Sequence, residues 1–211
     1  MKKLSIVMIT FVCTLQMMAQ ESIIRLPEPQ KTGGMPLMEA LNTRHSERAF
    51  SPEELDLQTL SNLLWAGFGY NRHEAKKRTA PTSRNFQEIE IYLSMPSGLF
   101  RYNAWDNTLE RIHDRDIRAI TGKQEFVATA PINLIYVADQ RKVPNPESEY
   151  QQRASYANTG FIAQNVYLYC ASSGLVAVIR ALFDETELSN AMGLDGSMKI
   201  ILCHSVGYPK K

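Results

Sequence analysis

The sequence predicts an α+β fold, a sheet with helices packed on its faces. Three observations point there. Stretches with apolar residues at helical spacing interleave irregularly with stretches in which apolar and polar residues alternate. Residues 131–138 form a nearly continuous apolar run through Ile132, Leu134, Ile135, Tyr136 and Val137, which suits a strand covered on both faces. Residues 148–173 form the longest periodic segment and are apolar nearly all round, as in a helix buried centrally.

The remaining elements follow in order. Residues 20–34, broken by Pro and Gly, read as an extended arm. Pro36 opens a short helix through Leu37 and Leu41, and Ser51-Pro52-Glu53-Glu54 reads as the start of a second, whose core stripe is Leu57, Leu60, Leu64 and Phe68. The polar, basic residues 71–77 read as a solvated loop. Ile89, Ile91 and Leu93 alternate with Glu88, Glu90 and Tyr92, predicting a half-buried strand. Ser97-Gly98 turns the chain into a strand over 99–102, with 108–112 as its hairpin partner. Residues 114–121 predict a short helix stopped at Gly122. The long helix ends at Gly174 and is followed by a strand at 175–179, a helix at 184–192 and a closing strand at 199–206.

At 211 residues, with 44% hydrophobic and 21% charged, the chain is long enough to bury one sizeable core. Wholesale disorder, collagen and coiled coil are excluded. Lys and Arg total 23 against 22 for Asp and Glu, so no net field recruits nucleic acid. Lys2 and Lys3 precede the apolar run Leu4 to Leu15, and Ala19 closes a short polar stretch, the order of a cleavable export signal. The run is shorter than the roughly 20 apolar residues that span a bilayer. Residues 1–19 are therefore expected to be removed, leaving an exported, periplasmic chain with no stable membrane insertion. Cys170 and Cys203 lie among apolar neighbours in a helical and a strand pattern. They read as buried thiols, although an oxidising compartment would permit them to pair. There is no CxxC or HExxH, so metal chemistry has no support.

Two segments could carry chemistry. If Thr43 to Arg48 leaves the preceding helix extended, Arg44, Ser46 and Arg48 share a side, and two guanidinium forks and a hydroxyl converge as a phosphate monoester requires. A solvated helix terminus is the competing reading. The second segment is Ala80-Pro81-Thr82-Ser83-Arg84-Asn85-Phe86-Gln87, just before a strand. Asn85 and Gln87 share a side there and could read the edge of a heterocycle, or else satisfy a local turn.

In this order and spacing, Arg44 to Phe50, Ala80 to Gln87, the helix Gln164 to Leu168 running to Gly174-Leu175, and the closing Val206-Gly207-Tyr208-Pro209 resemble the nitroreductase family of flavin-dependent oxidoreductases. The resemblance covers nearly all of residues 36–211. Gly98 to Tyr102 with Leu109-Glu110 also resembles the branch of thiazoline-oxidising, peptide-modifying dehydrogenases. The resemblance implies a nitroreductase-like sandwich over residues 35–211, a mostly antiparallel sheet flanked by helices around a long central one. It implies a homodimer with FMN at the subunit interface. Arg44, Ser46 and Arg48 match the positions gripping phosphate and ribityl chain, with His45 beside them. Pro81, Thr82, Ser83, Asn85 and Gln87 match the loop touching the ring, and Lys210 could add a cation for the phosphate. Relatives place a Gly-containing turn after the strand at 175–179, to offer a backbone N–H to the flavin N5. Here Ala181 stands in Arg180-Ala181-Leu182, which leaves that geometry open. The implied activity is ping-pong hydride transfer between NAD(P)H and a nitro compound or quinone. The alternatives are a dehydrogenase returning electrons to oxygen and a flavin-binding protein without turnover. Tyr70, Arg72 and the basic run Lys76-Lys77-Arg78 lie just before the flavin loop and could line its entrance, with a solvated charge run as the competing reading, while His73, His113 and His204 have no assigned role.

Overall fold

The structure is a computed structural model describing residues 22–211. The expected export signal lies outside the described residues.

Seven strands make one antiparallel sheet in the spatial order β1 (Ile23–Arg25), β6 (Thr108–His113), β5 (Gly98–Asn103), β4 (Ile89–Met95), β7 (Ile132–Asp139), β9 (Met198–Gly207) and β8 (Val176–Arg180). Helices α1 (Leu37–Thr43), α2 (Leu57–Phe68) and α3 (Glu149–Ser173) lie on one face, and α4 (Glu185–Met192) lies on the other. The alternation along β4 explains the arrangement. Ile89, Ile91 and Leu93 join Leu63, Ile162 and Val166 in the main core, while Tyr92 packs with Leu188 and Met192 beneath α4. All eight residues of β7 are buried, as its unbroken apolar run predicts. The extended arm adds β1 to the sheet edge and then straps α2: Ser61 Oγ donates to Pro27 O, and Asn62 Oδ1 accepts from Gln30 N at 2.8 Å.

Four elements depart from expectation. The helix predicted from Ser51 begins at Leu57, because Asp56 is the better cap: its carboxylate accepts from Thr59 N and Oγ1, each at 2.8 Å. Ser51 is instead drawn into an extended pairing, its N–H donating to Tyr208 O. The expected loop at 71–77 folds as a hairpin of β2 (Tyr70–Arg72) and β3 (Lys77–Arg78), held by aromatic contacts among Tyr70, His73 and Trp105. The helix at 114–121 reduces to one 3-10 turn, Arg118–Ile120, since Asp116 binds the Arg118 side chain and backbone locally. The long helix is buried along its core side only, and Tyr156 and Phe161 are about half exposed.

Cys170 and Cys203 are free, buried thiols, and burial pushes the Cys203 thiol up to about 12. His204 on β9 is fully enclosed. Its Nδ1 meets Tyr136 Oη at 3.0 Å, the Tyr167 ring lies 4.7 Å away, and Nε2 has no partner among the described residues. Desolvation, with the Arg180 charge adding to it, lowers its pKa to about 3. The folded state therefore keeps His204 neutral while the unfolded chain binds a proton below about pH 6.5, so stability falls with acid between those two values. Urea unfolding should show about 2 kcal/mol less stability from this group at pH 5 than at pH 7. A His204→Gln variant should lose that part of the slope, whatever its stability at pH 7.

Candidate functional site

The chain leaves α1 in extended form, and Ser46 makes a parallel bridge to Ala177 on the open edge of β8, where Glu47 N donates to Ala177 O at 3.0 Å. Alternation then sends Arg44 and Ser46 to the same side, and both meet Tyr167 of α3. The Arg44 guanidinium lies 5.3 Å over the Tyr167 ring, and Ser46 Oγ lies 2.9 Å from Tyr167 Oη. The same hydroxyl accepts from Ile179 N at 2.9 Å. One buried oxygen thus joins α3, β8 and the 44–48 segment.

Glu47 is the acid nearest these cations in sequence, but its carboxylate is engaged elsewhere. Oε1 accepts from Ala49 N at 2.9 Å and Arg48 N at 2.5 Å, and these backbone bonds hold its pKa below the usual carboxylate range. Arg44 is left without an ion pair among the described residues. The chain end folds back against the same segment: Phe50 bridges Pro209, and Lys210 N donates to Ala49 O at 3.1 Å. Arg44, His45, Glu47, Tyr167 and Lys210 then line a cavity of about 340 Å³. Arg48 is exposed and outside this lining, so the structure brings Arg44 and Ser46 together on Tyr167 and leaves Arg48 apart.

The second segment is shaped by strained backbone. Arg84, Asn85 and Gln87 hold φ of 49°, 58° and 51°, the left-handed region that side chains other than Asn and Asp rarely adopt. Gln87 is saturated: Oε1 accepts from Arg78 Nε at 2.7 Å and Tyr70 Oη at 3.3 Å, while Nε2 donates to Lys76 O at 2.6 Å and Asn85 Oδ1 at 3.1 Å. It fastens the loop to the β2–β3 hairpin. Ser83 N donates to Asn158 Oδ1 at 3.1 Å, and Asn158 Nδ2 to the buried Glu88 Oε1 at 2.8 Å, anchoring the loop to α3. Pro81, Thr82 and Asn85 face a second cavity of about 410 Å³, bounded by Arg72, Lys77, Arg78 and Arg84.

Ala181 is the first residue past β8, on whose outer edge Ala177 O and Ile179 N bond to Glu47 and Tyr167. Ala181 has no left-handed φ, so the missing glycine imposes no strain. Tyr167, Asn158 and Glu88 escaped sequence reasoning. Their signal was polarity on a buried helix or strand, where each polar atom requires a partner.

The sequence model of the nitroreductase family matches residues 41–208. The chain belongs to this family. A protein of Methanocaldococcus jannaschii described as a nitroreductase is 29% identical over 175 residues, 78% of this chain and 86% of its own. A crystal structure from Ralstonia eutropha, also described as a nitroreductase, shares 39% identity at a TM-score of 0.86, covering 90% of this chain and 91% of that one. The NADPH:FMN oxidoreductase of Vibrio harveyi, complexed with NAD+, shares the fold at a TM-score of 0.59 and 18% identity, covering 83% and 69%. As a member of the nitroreductase family, the chain is a flavin-dependent oxidoreductase.

Tyr167→Phe should unfasten Ser46 and the Ile179 N–H together. A loss of about 1–3 kcal/mol is expected in urea unfolding, since two part-buried hydrogen bonds of about 0.5–1.5 kcal/mol each are lost. The same variant should retain less flavin after gel filtration than wild type.

Proposed function

We propose that this chain binds FMN as a homodimer and oxidises or reduces a small organic substrate, with NAD(P)H as electron donor and a nitro compound or quinone as acceptor. The observation that carries this reading is the cationic cavity behind Ser46 and Tyr167. Arg44 makes no ion pair there among the described residues, and the one carboxylate lining the cavity, Glu47, is held by backbone N–H groups. A dianionic phosphate fits such a donor set: a planar guanidinium fork, the Lys210 ammonium and the His45 imidazole line one cavity. Ser46 lies beside it for the ribityl hydroxyls, and Arg48, on the exposed side, would close over the chain from without. Pro81, Thr82, Ser83 and Asn85 would support the ring, with Gln87 setting the loop's shape. Ala181 offers its N–H at the edge where N5 would lie. Bound FMN supplies the redox chemistry, accepting a hydride from one substrate and passing it to the next.

Helix geometry favours a dimer. Tyr167 and Asn158 anchor the two binding segments nine positions apart on α3, about 14 Å along its axis and half a turn round it. The segments therefore sit on opposite sides of the helix, and a second copy is needed to bring one chain's loop to the other's phosphate cavity. Leu37, Met38 and Leu41 on α1 and Tyr156 and Phe161 on α3 are exposed apolar side chains available for that contact. Export follows from residues 1–19, and the mass of the secreted chain would test it.

Arg44→Ala with Lys210→Ala should abolish flavin retention, because each charge-assisted contact contributes about 1.5–3 kcal/mol. Arg48→Ala should weaken retention far less. The visible spectrum of protein purified without added cofactor measures both, and a fully yellow Arg44/Lys210 double variant would overturn the phosphate assignment. Anaerobic NADPH should bleach the wild-type flavin. Bleaching by an organic substrate alone would favour the oxygen-linked dehydrogenase, and resistance to every donor would favour storage.

A further inference from the structure

We propose that the 410 Å³ cavity beside the 81–87 loop is a substrate subsite that selects an anionic group, a carboxylate or phosphate, on a planar organic substrate. This deepens the reading above and rests on the flavin ring lying against Pro81 and Asn85. Four cations, Arg72, Lys77, Arg78 and Arg84, border the cavity with Thr82 and Asn85, and no acid lines it. Among the described residues none of the four makes an ion pair. Arg72 bonds only to Asn71 Oδ1 and Arg78 O, at 3.2 and 3.5 Å, and Arg78 to Gln87 Oε1 and Phe68 O, at 2.7 and 2.8 Å. Arg78 feels the Glu90 carboxylate of the neighbouring cavity, whereas Arg72, Lys77 and Arg84 are gathered without an ion pair and repel one another, and a bound anion relieves that repulsion.

The arrangement is built rather than incidental. Arg84 is placed at the cavity mouth by a left-handed φ of 49°, a conformation that costs an arginine energy and that persists only where the surrounding loop enforces it. Arg78 lies between Phe68 and Tyr70, 4.3 Å from each ring, and Gln87 fixes its Nε, so it presents a rigid guanidinium plane. The neighbouring cavity of about 240 Å³ shares Arg78 but offers nothing comparable. Its other cations are already neutralised, Arg101 by Glu110 at 2.6 Å and Lys142 by Glu90 at 2.9 Å.

The test compares 4-nitrobenzoate with 4-nitrobenzyl alcohol, which differ chiefly in charge, by isothermal calorimetry on the flavin-loaded protein. Wild type should bind the benzoate at least tenfold more tightly, and raising the salt concentration should reduce that ratio. Arg72→Gln with Arg84→Gln, both exposed positions, should bring the two probes within threefold while flavin retention and affinity for the alcohol stay unchanged. Equal affinities in wild type, or a preference untouched by the double variant, would overturn the proposal. So would a double variant that loses only the preference for NADPH over NADH, since the anion then belongs to the nicotinamide donor. Should the protein prove unable to hold flavin, the reading under Proposed function fails separately. The same titration on the flavin-free protein still decides whether the cations form an anion subsite.

Discussion

The hydroxyl of Tyr167 is the constraint on which the site depends. It is buried on α3, where an unpaired oxygen would carry a desolvation penalty, so its partners must be supplied by whatever packs there. Ile179 N–H supplies one and Ser46 Oγ the other. Satisfying one polar atom thereby fixes the register of the edge strand and of the segment pairing with it. The ring of the same residue carries Arg44 on one side and packs against neutral His204 on another. A charged imidazole there would be desolvated and would face Arg180, and its low pKa keeps the platform neutral.

The two binding segments are held by opposite means. Residues 44–49 are ordinary extended chain, positioned by backbone bonds to Ala177 and by the returning C-terminus, so their side chains remain available. Residues 83–87 are strained chain, positioned largely by the Gln87 side chain, which is consequently unavailable. Gln87 illustrates the difference: all its polar atoms are engaged in closing the loop. A residue that builds a site and one that touches a ligand read alike in a linear pattern, because amides do either.

Much of the fold was legible because burial imposes periodicity. The unbroken run in β7, the alternation in β4 and the glycine after α3 each follow from a backbone or solvent requirement acting locally. What was not legible depends on partners distant in sequence. Ser51 reads as a helix cap until the chain end arrives to pair with it, and residues 71–77 read as solvated until Trp105, some thirty positions on, stacks against His73. Arg48 differs: its spacing from Arg44 matches a shared face, yet it is exposed and does not line the cavity that Arg44 lines.

Ala181 depends on a buried charge one position earlier. Arg180 has no carboxylate partner among the described residues; its guanidinium donates to Thr121 O at 2.6 Å and Asn133 Oδ1 at 2.8 Å, and burial lowers its pKa. Gly122, read from sequence as a helix stop, serves to let that guanidinium pass, since a Cβ there would collide with Nη1. On the other side of Ala181, Leu182 O accepts from Lys123 N at 3.1 Å. Residues 180 and 182 are thus both fastened to the 121–123 turn, and the peptide between them has little freedom left. The chain around Ala181 is thus fixed from both sides by the 121–123 turn, without the conformational freedom of a glycine.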